Sequence, residues 1–316
     1  MTEHVIDPTE RPSGFRSGFA CFVGRPNAGK STLTNALVGD KVAITSSRPQ
    51  TTRHVIRGLV HRADAQLILV DTPGLHRPRT LLGERLNDLV RTTWAEVDVV
   101  AVCLPADQKI GRGDRYLISE VAKLRKKPVL AIATKTDLVG PERLIEHLSD
   151  IGAVGADTGV DWREVIPVSA QSGDQLELLT DLLVAALPEG QALYPEGHLT
   201  DEPEETLVAE LIREAALEGV RDELPHSLAV VIEEMGPRAD RPSDRPLIDI
   251  RAHVFVERDS QKGIIIGAKG ARLREIGSSS RTQIERILGT PVYLDLHVKV
   301  AKDWQRDPRQ LRRLGF

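Results

Sequence analysis

A chain of 316 residues that is 41% hydrophobic supplies apolar material for two ordinary cores. Its two cysteines exclude a disulfide framework, and its apolar runs fall short of the roughly 20 residues a membrane-spanning helix needs. Net charge is −4, unevenly spread: residues 258–316 hold 13 Lys/Arg against 6 Asp/Glu, a net +7, which leaves −11 for residues 1–257. A basic C-terminal fifth on an acidic chain points to a polyanionic partner engaged there. The nine histidines show no paired metal spacing such as H-E-x-x-H, so zinc chemistry has no support.

In chain order, residues 1–16 contain Pro8, Pro12 and Gly14 without an apolar core, and are expected to form a flexible leader rather than a signal peptide. Phe19–Val23 reads as a buried strand leading into Gly24-Arg25-Pro26-Asn27-Ala28-Gly29-Lys30-Ser31-Thr32, which fits the P-loop pattern and opens a helix. The chemistry needs those residues at that spacing. Glycines let backbone N–H groups close around phosphate oxygens, the helix N-terminus adds partial positive charge, Lys30 reaches the β- and γ-phosphates, and the Ser31 hydroxyl suits Mg²⁺. Strand-like and helix-like runs then alternate to residue 188, with strands at Val55–His61, Gln66–Val70, Val97–Leu104, Val129–Ala133 and Val165–Val168. That alternation predicts an α/β fold with a doubly wound, mostly parallel sheet, whose ligands sit at the strands' carboxyl ends.

The remaining motifs fall at those ends. Asp71-Thr72-Pro73-Gly74 follows a strand, so Asp71 is a candidate Mg²⁺ holder, through water, and the Gly74 N–H a γ-phosphate sensor. Thr134-Lys135-Thr136-Asp137 is similar to the guanine motif N-K-x-D. Its aspartate can accept from two guanine donors, Lys135 can lie over the base, and Ser169-Ala170 fits the next guanine element. Thr134 stands where asparagine is usual, which predicts the loss of one tying hydrogen bond. Gln50, Thr51, Thr52 and Arg53 form a candidate switch segment. Thr52 is favoured over Thr51 as the Mg²⁺ ligand, though spacing does not decide between them. Lys30, Thr52 and Gly74 are the expected catalytic set for a GTPase. Leu75 occupies the position of the water-orienting glutamine of Ras-like enzymes, which predicts slow intrinsic hydrolysis, or hydrolysis aided by a partner or ion. Asn27 is a candidate K⁺ ligand for that role.

Residues 189–203 read as a linker, 204–303 as a second domain and 304–316 as a C-terminal tail. The second domain shows the order helix–strand–strand–helix–helix–strand, with Ile266-Gly267-Ala268-Lys269-Gly270 between its later helices and Arg272 just beyond. A G-x-x-G loop in that order is the signature of an α+β, type II KH domain, which clamps single-stranded nucleic acid. Trp304, Arg306, Arg309, Arg312 and Arg313 either extend that surface or cap the fold.

These features together resemble the Era family of GTPases over residues 17–316. The resemblance is carried by GRPNAGKST at 24–32, QTTRH at 50–54, DTPG at 71–74, YPEGHLTDE at 194–202, QKGIIIGAKGARLREIG at 261–277 and LRRLGF at 311–316. It implies a monomeric cytoplasmic switch using GTP/GDP and Mg²⁺, whose KH domain binds the 3′ end of 16S rRNA during 30S subunit maturation. Contact with the inner face of the cell membrane is left open, and DNA is not an implied partner. Two alternatives compete: a GTPase whose KH-like segment serves another RNA or a protein, and an RNA-binding module with an inert nucleotide domain.

Overall fold

Three runs of almost unbroken apolar residues, FACFV, LILV and VVAVCL, decide the architecture of the first half of the chain. Strands of that kind are stable only where both faces are covered, which a sheet wrapped in helices provides. The computed structural model describes residues 14–45, 52–75, 78–124, 126–218, 220, 224–239, 241–242 and 245–316. They fall into two compact units. The first runs to Ala43 and includes Thr52–Leu75 and Leu89–Asp201; the second takes Ile44, Thr45, the described part of 76–88 and everything from Glu202.

In the first unit the elements are β1 (Arg16–Val23), α1 (Lys30–Val38), β2 (Ile56–His61), β3 (Ala65–Asp71), α2 (Leu81–Glu96, in this unit from Leu89), β4 (Val99–Pro105), α3 (Arg112–Val121), β5 (Val129–Thr134), α4 (Pro141–Thr158), β6 (Glu164–Pro167) and α5 (Leu176–Ala186). The sheet order is β2-β3-β1-β4-β5-β6, parallel throughout except for the β2–β3 pair. Alternate residues feed two cores. Cys21, Val23, Val70, Val100 and Val102 pack with Val90, Trp94, Ile118, Ile151 and Val154 on one face. Ala20, Phe22, Leu69, Ala101 and Cys103 pack with Leu33, Leu179 and Leu183 on the other. The chain leaves β1 toward β2 and β3 on one side and later occupies β4 to β6 on the other. This reversal opens a crevice beyond the carboxyl ends of β1 and β4.

The stretch expected as a linker is fastened to this unit as far as Asp201. Buried Gln66 donates to the Tyr194 carbonyl at 2.7 Å and accepts from the Leu193 and Tyr194 N–H groups at 2.6 and 2.9 Å. Leu59 N–H donates to the Leu199 carbonyl at 2.9 Å, and Arg57 pairs with Asp201 at 3.0 Å. The Leu59–Leu199 bond, with an antiparallel bridge between Gly58 and Thr200, occupies the open edge of β2, which would otherwise present unpaired backbone.

The second unit comprises α6 (Glu204–Leu217), α7 (Leu224–Ser227), β7 (Ala229–Pro237), β8 (Ile248–Val256), α8 (Asp259–Ile266), α9 (Ala271–Leu288), β9 (Val292–Val300) and α10 (Pro308–Arg313). Its sheet order is β7-β8-β9, with β7–β8 antiparallel and β8–β9 parallel. The parallel pair requires a crossover, and α8 and α9 supply it. Val208, Leu211, Ile212, Ile265, Ile276 and Ile284 from the helices close over Ile250, Ala252, Val254, Val292, Leu296 and Val298.

The tail, for which extending a nucleic-acid surface and capping the fold were both open, contains a core residue. Trp304 is fully buried, donates from Nε1 to the Ser227 carbonyl at 3.0 Å, and stacks on Phe316 with 5.6 Å between ring centroids. Asp307 caps α10 by accepting from Arg309 N–H at 2.8 Å, and Leu311 and Leu314 bury beside Phe255. A large indole has more to gain from burial than from solvent, so of the two roles left open for Trp304 the structure selects capping the fold. Trp304→Ala is accordingly expected to cost about 3–5 kcal/mol of stability, read by urea unfolding of the full chain; a loss of nucleic-acid affinity with unchanged stability would contradict this.

Candidate functional site

The loop after β1 turns so tightly that side chains are excluded at two points. A Cβ on Gly24 would lie 2.9 Å from the Cys103 carbonyl oxygen, and Gly29 adopts φ 91° at the entrance to α1. Pro26 packs against Gly74, where an added Cβ would meet the Pro26 nitrogen at 3.1 Å, and Asn27 sits exposed with φ 63°. Lys30 is buried and donates from Nζ to the carbonyls of Gly24 and Arg25, each at 3.2 Å. Burial pulls its pKa below the usual lysine value, against the opposing attraction of Asp71. Cys103, beneath the loop, is pushed up to about 12 by burial and acts as inert packing. The Arg25 side chain points away from the loop's concave side: its Nε donates to Asp114 at 2.5 Å. A buried carboxylate on α3 thus holds the guanidinium.

Asp71, at the carboxyl end of β3, is fully buried. Its Oδ2 accepts from Ser31 Oγ at 2.6 Å and Thr52 Oγ1 at 3.1 Å, and those two hydroxyls lie 3.0 Å apart. Its Oδ1 is buried with no hydrogen-bond partner of normal geometry. Desolvation raises the Asp71 pKa, while Lys30, Ser31, Thr52 and the Thr72 backbone pull it down. A buried carboxylate with an unused oxygen beside two hydroxyls is an all-oxygen donor set suited to a small, hard cation. Gln50 and Thr51 lie outside the described residues. Arg53 is buried beside Thr52 in sequence, and Leu75 is buried in the first core, with no polar group to offer.

A second cavity of about 320 Å³ opens beside the loop, lined by Gly29, Thr32, Leu33, Thr134, Lys135, Asp137, Leu138, Val168, Ala170 and Gln171. Asp137 is exposed, and its Oδ1 accepts from Ser169 Oγ at 2.6 Å, which fixes the carboxylate. Lys135 takes φ 58°, with Nζ 4.0 Å from Asp107. The hydrogen bond expected to be lost at Thr134 is present: its hydroxyl donates to the Ala28 carbonyl at 2.7 Å, both atoms buried. Threonine is shorter than asparagine, but β5 ends close enough to the loop for it to reach. Leu33, Leu138, Val168 and Gln171 carry no motif signal of their own, although each adjoins a motif residue.

In the second unit, α8 ends at Gly267 (φ 71°), and a single 3₁₀ turn over Ala268–Gly270 leads into α9. A Cβ on Gly267 would lie 2.7 Å from that of Arg272, so the position admits only glycine. Ala268 and Lys269 are exposed, whereas Ile266 is half-buried against the core of the second unit. Arg272 is engaged at the surface of its own unit, turned inward only in that it bonds protein: its guanidinium donates to the Glu218 carbonyl and lies 3.7 Å from Glu275.

The family model described as "50S ribosome-binding GTPase" matches residues 19–135, and that of the KH domain matches residues 223–305. GTPase Era of Streptomyces coelicolor is 72% identical over 315 residues, covering 100% of this chain and 99% of the relative. GTPase Era of Nocardioides sp. is 73% identical over 301 residues, covering 95% and 96%. This chain belongs to the GTPase Era family. It is thus a GTP-hydrolysing enzyme with a P-loop GTPase fold followed by a KH domain. Among solved structures, Era in complex with MgGDPNP and nucleotides 1506–1542 of 16S ribosomal RNA superposes with a TM-score of 0.89 at 37% identity, over 95% of this chain and 99% of that one. An Aquifex aeolicus Era variant bound to GDP·AlF4⁻ gives the same TM-score at 36% identity, again over 95% and 99%.

Two substitutions test this geometry. Thr134→Val leaves the Ala28 carbonyl unpaired and is expected to weaken GDP binding about fivefold, equivalent to ~1 kcal/mol, by titration calorimetry; unchanged affinity would discard the tie. Asp71 binds its proton more tightly folded than unfolded, so its ionised form opposes folding as pH rises above the usual aspartate range. Asp71→Asn is therefore expected to raise the stability of nucleotide-free protein in EDTA by ~1 kcal/mol at pH 7. That gain should shrink as the pH is lowered toward the acid range; a destabilised variant would contradict it.

Proposed function

We propose that this chain is a GTP-driven switch in the cytoplasm that binds the 3′ end of 16S rRNA through its KH domain (204–303) and assists 30S subunit maturation, its GTPase domain (17–188) timing release. The reading rests on one observation: a cavity lined by Thr134, Lys135 and Asp137 beside the loop and a G-x-x-G turn coexist on a chain aligned almost end to end with an Era bound to both MgGDPNP and 16S nucleotides. That RNA is from the small subunit, which favours it over the large subunit named in the broader family description. No described helix is long and apolar enough to cross a membrane.

Within this reading, the backbone of residues 24–32 surrounds the phosphates, and Lys30 neutralises their charge. Ser31, Thr52 and Asp71, the last through water, hold Mg²⁺, which when bound stabilises charge developing on the phosphate oxygens. Gly74 N–H meets the γ-phosphate. Asp137 accepts from guanine, Lys135 lies over the base, and the Ser169–Ala170 backbone meets its carbonyl. Leu75 cannot orient water, so hydrolysis is slow, or is aided by a partner or by a K⁺ ion that Asn27 would hold. In the KH domain, the 266–270 backbone approaches the nucleic-acid backbone while Lys269 supplies charge; Arg272 contributes only if its inward contacts are exchanged.

A fluorescent oligonucleotide copying the rRNA 3′ end is expected to bind more tightly with a non-hydrolysable GTP analogue than with GDP, at fixed salt, and more tightly than a scrambled sequence. Equal, unselective binding would remove the rRNA reading. Phosphate release should be faster in K⁺ than in Na⁺; equal rates would remove K⁺ from Asn27.

A further inference from the structure

Asp114 is 2% exposed, and it divides its two carboxylate oxygens between different tasks. Oδ2 accepts from Gly111 N–H at 2.8 Å and closes the first turn of α3. That alone would be an ordinary helix cap, and it uses one oxygen. Oδ1 accepts from Arg25 Nε at 2.5 Å, and Gln108 Oε1 lies 3.3 Å from another nitrogen of the same guanidinium. Glycine at 113 leaves space for the arginine stem, since a Cβ there would be 3.2 Å from Arg25 Cδ. The Arg25 carbonyl in turn accepts from Ala28 N–H and from Lys30 Nζ, each at 3.2 Å. The side chain and the backbone of one residue thus join α3 to the turn that presents Lys30.

We propose that Asp114 is a positioning residue for the phosphate loop, anchoring Arg25 so that the 25–28 turn and Lys30 are set for a nucleotide's phosphates. This rests on residues 24–32 being the phosphate loop. The electrostatics run the same way. A carboxylate this buried needs a cation, and with Arg25 bound to it the loop carries neither a free guanidinium nor an uncompensated negative charge beside a polyanionic ligand.

The experiment is stopped-flow dissociation of fluorescent mant-GDP from the full chain, with melting temperature recorded in parallel. Asp114→Asn is isosteric: its amide oxygen can keep the Gly111 contact, but its NH₂ opposes the Arg25 donor. Dissociation from it is expected to be roughly tenfold faster, within the range for residues in direct contact. Arg25→Met, which leaves the α3 cap untouched, should match it and carries the same test should Asp114→Asn fail to fold. The double variant should be no faster than either single one, because both remove the same contact. Asp114→Asn that melts lower but releases mant-GDP at the wild-type rate would reduce Asp114 to a helix cap, and singles whose effects multiply would overturn the coupling. Failure of the wild-type chain to bind mant-GDP would be a separate result, against the phosphate-loop assignment itself.

Discussion

The carboxylate of Asp71 is the point on which the first unit's arrangement depends. Placing an ionised group at zero exposure costs several kcal/mol unless its charge is answered, and here the Ser31 and Thr52 hydroxyls, the Thr72 backbone and the charge of Lys30 answer it only in part, since burial still raises its pKa. Three separated pieces of chain must converge to make even that possible: the end of β3, the first turn of α1 and Thr52. The parallel pairing of β1 with β3 sets the first two side by side, because Phe22 and Asp71 share a register position just before the loop begins. An apolar sheet thereby holds a polar constellation rigidly at its edge, with a stability cost that ligand binding can recover.

Much of this was legible from sequence wherever a single local pattern carries the physics. The loop glycines, Lys30, Asp71 and Asp137 stand at fixed spacings after apolar strands, and the structure places each at the carboxyl end of the sheet. What was illegible depended on distance in sequence. Thr134 reads as a defect in its motif, since nothing in the motif reveals that the Ala28 carbonyl, 106 residues earlier, lies within its shorter reach. Residues 189–203 have a linker's composition, yet Gln66 and the open edge of β2 give their backbone partners. Trp304 is hidden among polar residues in sequence and buried in space, because it sits on a three-residue 3₁₀ turn, Trp304–Arg306, too short for any periodicity to register as a core face. Arg25 reads as a phosphate ligand by position, whereas Asp114 on α3 determines where its charge goes.

The two units divide the chemistry in a way composition anticipates. The net +7 of residues 258–316 coincides with the G-x-x-G turn and its exposed Lys269, while the acidic remainder of the chain contains the nucleotide site. A nucleotide can regulate RNA binding only by favouring one state of the protein over another, and the dependence must be mutual. On the nucleotide side, the Thr52 hydroxyl touches both Ser31 and Asp71.

The most direct test of the nucleotide assignment is competition: mant-GDP bound to the full chain in Mg²⁺, challenged with unlabelled GDP or ADP. A cavity whose aspartate is fixed by Ser169 to accept guanine's donors should leave ADP unable to displace the probe even at about 10⁴-fold excess, while GDP displaces it stoichiometrically. Displacement by ADP at concentrations comparable to GDP would mean that Asp137 does not read the base, and the guanine-specific account of this site would be wrong.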